Sequence, residues 1–137
     1  IYRGFLTLHK RGRTSRIPKF IAGSSFKKNP IIYSFQKGLD YCTDLRPEKI
    51  KETPLNEALI NWHSFDGEVA LQAIRNSEGW ANDVSDQKLS YYSKILKEKE
   101  GLNVLPASTA GLLALLNYHK TENFGNDRYV AILTGRK

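Results

Sequence analysis

With 137 residues, 40% of them apolar and 26% charged, the chain can bury one core, which excludes a disordered segment. No apolar stretch reaches the length of a membrane span and nothing at the start reads as a secretory leader. A single cysteine, Cys42, excludes an internal disulfide and points to a cytoplasmic location, while the net charge of +7 favours polyanions or a phosphorylated ligand.

A first helix is predicted over 2–9, ending near Gly12, with Tyr2, Phe5 and Leu6 as a buried stripe. The basic run His9-Lys10-Arg11-Gly12-Arg13-Thr14-Ser15-Arg16 reads as its solvated end, where cations complement the negative pole of a helix. A nucleic-acid module would interleave exposed aromatics with such a run, so nucleic acid is not an expected partner. A short strand is predicted over 19–24. Asn29 then caps a helix opened by Pro30, because the Asn side chain satisfies orphan N–H groups and proline has none to lose. Ile31, Ile32 and Phe35 are its inward residues and Gly38 its left-handed stop. Between 39 and 54 the pattern fades into an irregular connection with one helical turn near Glu48.

The second half is more regular. Asp66 is the expected cap of a helix with Val69, Ala70, Ala73 and Ile74 inward, stopped by Gly79. A strand is predicted over 80–84, and Ser85 then caps a long helix with Leu89, Tyr92, Ile95 and Leu96 inward and Gly101 past its end. The remaining elements are a strand over 102–105, a helix over 109–119, and a last strand over 129–134. Strands alternating with helices of this size demand right-handed crossovers and a mostly parallel sheet, so the class is α/β and the domain is single, 1–137.

His9, His63 and His119 are scattered, and their spacing suggests neither a metal site nor a Cys-His nucleophile couple. The informative stretch is Leu105-Pro106-Ala107-Ser108-Thr109-Ala110-Gly111, where an apolar run stops at proline and small, hydroxylated residues lead into an apolar helix. In open α/β sheets such a turn, at the carboxyl end of a strand, is where ligands bind. Ser108 reads on its own as a pocket hydroxyl or as a helix cap. Thr134, in Ile132-Leu133-Thr134-Gly135, closes another short apolar run and on its own reads as a threonine chosen for β propensity.

The pair of motifs resembles the end of the threonine synthase family, pyridoxal phosphate enzymes with a "PAS-x-AG" turn and a terminal "LTG". The resemblance extends to Pro18-Lys19-Phe20-Ile21-Ala22-Gly23, Asn29-Pro30-Ile31-Ile32, Ala70-Leu71-Gln72-Ala73-Ile74-Arg75-Asn76-Ser77-Glu78-Gly79, Val84-Ser85-Asp86 and Glu100-Gly101, in family order. It implies part of the large domain of a tryptophan synthase beta-like enzyme: a three-layer, mostly parallel sheet with helices on both faces. It implies a lyase converting O-phosphohomoserine and water to threonine and phosphate. It also implies a cofactor pocket to which Thr134 contributes the group meeting the pyridine nitrogen, with Ala107, Ser108 and Gly135 in its wall.

In the family the Schiff-base lysine and the glycine-rich phosphate loop lie upstream of the matched region. The chain starts at Ile1 and holds no methionine, so it reads as the carboxyl-terminal piece of an enzyme, inactive alone, without catalytic residues of its own. Strand edges exposed in such a piece predict marginal stability or association into a homo-oligomer. Three departures keep other readings open: Trp62-His63-Ser64 replaces a Gly-Asn-Pro turn, Leu105 replaces a glutamate, and the tail Gly135-Arg136-Lys137 is short. The alternatives are a serine/threonine dehydratase or cysteate synthase-like relative, or a degenerate, non-catalytic interaction domain.

Overall fold

The computed structural model describes residues 1–122 and 125–135. The elements are α1 (Tyr2–Lys10), β1 (Ile21–Ser25), α2 (Pro30–Gln36), α3 (Gly67–Asn76), β2 (Trp80–Val84), α4 (Asp86–Glu100) and α5 (Ala110–Thr121). Short 3-10 turns occupy Pro47–Lys49, Glu57–Leu59 and Pro106–Thr109. β1 and β2 pair in parallel, Ile21 opposite Trp80 and Ser25 opposite Val84. The fold is a small α/β unit around this two-stranded sheet.

Alternation along the strands decides what covers each face. On β2, Trp80 stacks on Tyr118, Asn82 accepts from Asn117, and Val84 packs with Leu89, Ala110 and Leu113, so this face meets α4 and α5. Ala81 points the other way, into a cluster with Ile32 of α2 and Ile74 of α3. Gly23 of β1 lies under the first residue of α5, so close that a side chain there would strike backbone.

Local chemistry explains the helix starts. The Asn29 side chain accepts from the N–H groups of Ile31 and Ile32 ahead of Pro30, as expected. Ser85 accepts from Lys88 N, and Gly101 is left-handed past the end of α4. Asp66 is different: it occupies the cap position of α3, but its side chain makes no cap hydrogen bond. The inward stripe of α3 is also rotated from the expected one. Gly67, Leu71 and Ile74 are its buried residues, whereas Val69 is 46% exposed and lines an open apolar groove of about 670 Å³ with Tyr2, Phe20 and Ala22. The stripe of α1 is only half covered: Tyr2 and Phe5 set ring edges against Phe20, and no residue of α1 is fully buried.

Two expected strands do not form. Residues 102–105 contribute only an isolated bridge at Val104, and 129–134 form no strand, with Val130 82% and Ile132 57% exposed. Both stretches are apolar enough for strands, but a strand needs a hydrogen-bonded neighbour, and β1 and β2 are the only strands among the described residues.

Thr43 is a local defect. Its N–H donates to Ser34 Oγ at 2.8 Å, but its own hydroxyl is buried with no hydrogen-bond partner among the described residues. Thr43→Val removes an unsatisfied oxygen at nearly constant shape, so the chain should gain about 1 kcal/mol in a urea titration. A loss of stability would show that the hydroxyl is bonded in solution.

Candidate cofactor-facing site at the strand ends

The turn after Leu105 is built by proline. Leu105 is extended, as residues before proline prefer, and Pro106 opens the 3-10 turn at its first position. Thr109 is fully buried and its hydroxyl donates within the turn to Pro106 O at 2.7 Å. Backbone of the turn then runs straight into α5, whose first residue, Ala110, lies over Gly23.

Ser108 is 93% buried, being only 7% exposed, and does not cap α5, whose cap position is Thr109. Its hydroxyl instead holds Gly135 from both sides: Gly135 N–H donates to Ser108 Oγ at 2.7 Å, and Ser108 Oγ donates to Gly135 O at 3.2 Å. Leu105 N–H adds a third bond to the same carbonyl at 3.1 Å. A Cβ on Gly135 would stand 2.8 Å from Ser108 Oγ and 2.8 Å from Leu105 Cδ1, so a larger residue would have to displace the serine hydroxyl or the leucine side chain. Thr134, the preceding residue, is exposed beside this clamp, and Ala107 is half-buried in the turn. The four expected site residues are thereby brought together, although Ser108 spends its hydroxyl on the chain itself.

The clamp predicts a measurable asymmetry. Ser108→Ala removes both of its hydrogen bonds to Gly135 and should cost about 1–2 kcal/mol. The Gly135 amide should then exchange with solvent much faster, while amides in α4 keep their protection. Unchanged exchange at Gly135 would show that the hydroxyl does not hold the tail.

A polar network not foreseen from the sequence closes the same end of the sheet. Asp86 opens α4 just past β2, and its carboxylate accepts from Ser25 Oγ at 3.1 Å, Thr53 Oγ1 at 3.1 Å and Asn56 Nδ2 at 2.8 Å. Asn56 is fully buried, and its Oδ1 accepts from Thr53 N at 2.9 Å. Ser24 Oγ donates to Leu59 O at 2.7 Å, so the 53–59 connection is tied across the carboxyl ends of both strands. The signal available was Val84-Ser85-Asp86, a carboxylate placed one residue after a strand-to-helix cap.

No family model matches the chain. Among curated proteins, it is 31% identical over 134 residues to a threonine synthase of Methanosarcina acetivorans, an alignment covering 98% of this chain and 32% of that protein. It is 32% identical over 138 residues to a threonine synthase of Methanocaldococcus jannaschii, covering 98% of this chain and 33% of that protein. Over nearly its whole length the chain is similar to threonine synthases. It spans about a third of the length of these relatives and matches a carboxyl-terminal portion of them.

Cys42 and His63 are committed elsewhere. Burial pushes the Cys42 thiol up, the Glu68 and Asp44 carboxylates push it further, and a hydrogen bond with Ser34 opposes them. A raised thiol is poor in thiolate and makes a weak nucleophile. His63 Nδ1 is paired with Asp44 at 2.9 Å in the segment that departs from the family pattern. No helix among the described residues is long and apolar enough to cross a membrane.

Proposed function

We propose that this chain is the carboxyl-terminal part of a pyridoxal phosphate-dependent lyase that forms threonine and phosphate from O-phosphohomoserine and water. What supports the reading is the clamp of Ser108 on Gly135, which fixes Thr134 beside the turn that enters α5. The donor set fits the cofactor: a threonine hydroxyl can donate to a pyridine nitrogen without protonating it. Bound there, the cofactor supplies an electron sink for carbanions of the amino-acid substrate. Thr134 orients the ring through its nitrogen, Ala107 lines the wall, and Ser108 with Leu105 keeps the Thr134–Gly135 backbone in place. The two-stranded sheet is then one part of a larger three-layer, mostly parallel sheet, and the whole enzyme works in the cytoplasm.

The chain alone is inactive under this reading, because a covalent attachment to the cofactor needs one positioned, deprotonated lysine, which the family resemblance puts upstream of the matched region. Borohydride reduction of the isolated chain with pyridoxal phosphate should label surface lysines diffusely, and stoichiometric labelling of one site would contradict it. In the intact protein, Thr134→Val should weaken cofactor binding by about 0.5–1.5 kcal/mol, read as an absorbance titration and independent of turnover. Thr134→Asp should instead favour a protonated ring and shift the spectrum. If neither variant altered affinity or spectrum, Thr134 would have no contact with the ring. Trp62-His63-Ser64 favours a second reading, a dehydratase or cysteate synthase-like relative acting on a different amino acid, because a bulky aromatic replaces a small turn.

A further inference from the structure

The segment that departs from the family pattern forms a surface of its own. Residues 41–45 and 61–68 run side by side: Leu45 N donates to Trp62 O at 2.8 Å, Asp44 grips His63, and Cys42 N donates to Glu68 Oε2 at 2.9 Å. His63 stands edge to face with Phe65, ring centroids 4.9 Å apart at 89°, and tilts against Trp62 at 5.5 Å. Phe65 is 96% exposed, Tyr41 64% and Trp62 47%. Single exposed aromatics are ordinary, but Trp62 and Phe65, joined through the His63 ring, form a continuous exposed aromatic surface that marks a site of contact.

The charge around these rings selects the partner. Asp40, Asp44, Asp66 and Glu68 flank them in sequence, and Asp40, Asp66 and Glu68 are exposed. The nearby cations are Arg75, whose guanidinium donates to Leu39 O, Arg46, and Lys28, whose carbonyl accepts from Asn61 N beside Trp62. Aromatic faces rimmed by carboxylates attract guanidinium and ammonium groups, which gain both cation–π contact and ion pairing. The chain as a whole is strongly basic at +7. One group of exposed cations lies at the end of α1: Lys10, Arg11 and Arg13 make no ion pair among the described residues, whereas Arg16 pairs with Asp127 and Lys19 with Glu78.

The geometry points to a docking contact between two copies of this chain, the basic end of α1 in one copy seated on the Trp62–Phe65 platform of the other. The contact joins unlike surfaces, so a pair closes only when each copy gives its basic end to the other's platform, and a chain of copies forms otherwise. It differs from association through exposed sheet edges, which would ignore these side chains and respond little to salt.

Sedimentation equilibrium of the purified chain tests it with two double variants, Trp62→Ser/Phe65→Ser for the platform and Arg11→Glu/Arg13→Glu for the basic end. The wild-type chain should associate at low salt and weaken about tenfold or more as salt rises from ~0.05 M to ~0.5 M. Each variant alone should remain monomeric with unchanged far-ultraviolet circular dichroism. Mixed, the two should form a one-to-one pair, because one copy retains a working platform and the other a working basic end. Association that persists in both variants would overturn the proposal in favour of the sheet edges. A monomeric wild-type chain that binds an arginine-rich probe peptide would overturn it too, assigning the platform to a different protein.

Discussion

Gly23→Ala is expected to destabilise the chain by about 3 kcal/mol or more, a large share of the roughly 5–15 kcal/mol that stabilises a typical domain. A Cβ at this position would lie 2.0 Å from Ala110 O, 2.5 Å from its carbonyl carbon and 3.0 Å from Ala114 Cβ. Two of those three atoms are backbone, which cannot rotate away as a side chain can. Relief therefore requires α5 to withdraw from the sheet. That opens the interface holding Ala110 and Leu113, each 2% exposed, and fully buried Ala114. Withdrawal also shifts the turn that carries Ser108, so the loss reaches the candidate site. Gly111→Ala is the control, since nothing lies within 4 Å of a Cβ there and alanine favours the helix interior. Urea titration should lower the midpoint for the first variant and raise it slightly for the second. Equal midpoints for Gly23→Ala and wild type would mean that α5 does not rest on β1.

How much of this was legible in the sequence depends on how locally each feature is determined. Asn29-Pro30 announces the start of α2 because cap and first turn are neighbours in the chain, and the cap forms as expected. The same holds for Ser85, Gly101 and the bounds of β2. Helix α3 was harder, since its sequence offers two overlapping apolar stripes, one through Val69 and one through Leu71. Tertiary packing, absent from the local pattern, buries Leu71 fully and leaves Val69 46% exposed. Residues 102–105 and 129–134 carry strand-like composition, but pairing is a tertiary property and only Val104 makes a bridge.

The candidate site divides in the same way. The turn at Pro106 and its hydroxyls could be read directly, and the family resemblance joined them to Thr134. The use Ser108 makes of its hydroxyl could not be read, because its partner, Gly135, is 27 residues away in sequence. The close contact of Gly135 with Ser108 and Leu105 could not be read either, because both partners are far from it in sequence. The Asp86 network is less legible still. Ser25, Thr53 and Asn56 are 61, 33 and 30 residues from Asp86, and each alone is an ordinary polar residue of a loop or strand end.

That network yields the second large effect. Asp86→Ala should cost about 3–4 kcal/mol, because it strands three donors at once and leaves the carboxamide of Asn56, fully buried, without the acceptor for its N–H. Loss of a carboxylate from the first turn of α4 adds a smaller share, about 0.3–1 kcal/mol, through the helix dipole. Asp86→Asn separates the two contributions. Its side-chain oxygen can still accept from Asn56 and Thr53, and the Ser25 hydroxyl can turn to accept from the new amide, so chiefly the charge is lost. The expected order of stability is wild type, then Asp86→Asn, then Asp86→Ala, with the larger gap at the last step. The loss should also be local before it is global. The 53–59 connection is held to the strand ends by Asp86 together with the Ser24 bond to Leu59, so amides of Thr53 and Asn56 should lose exchange protection in Asp86→Ala first. Equal stability of Asp86→Asn and Asp86→Ala would assign the effect to helix charge alone, and the connection would then be held at the strand ends by its apolar contact through Leu59.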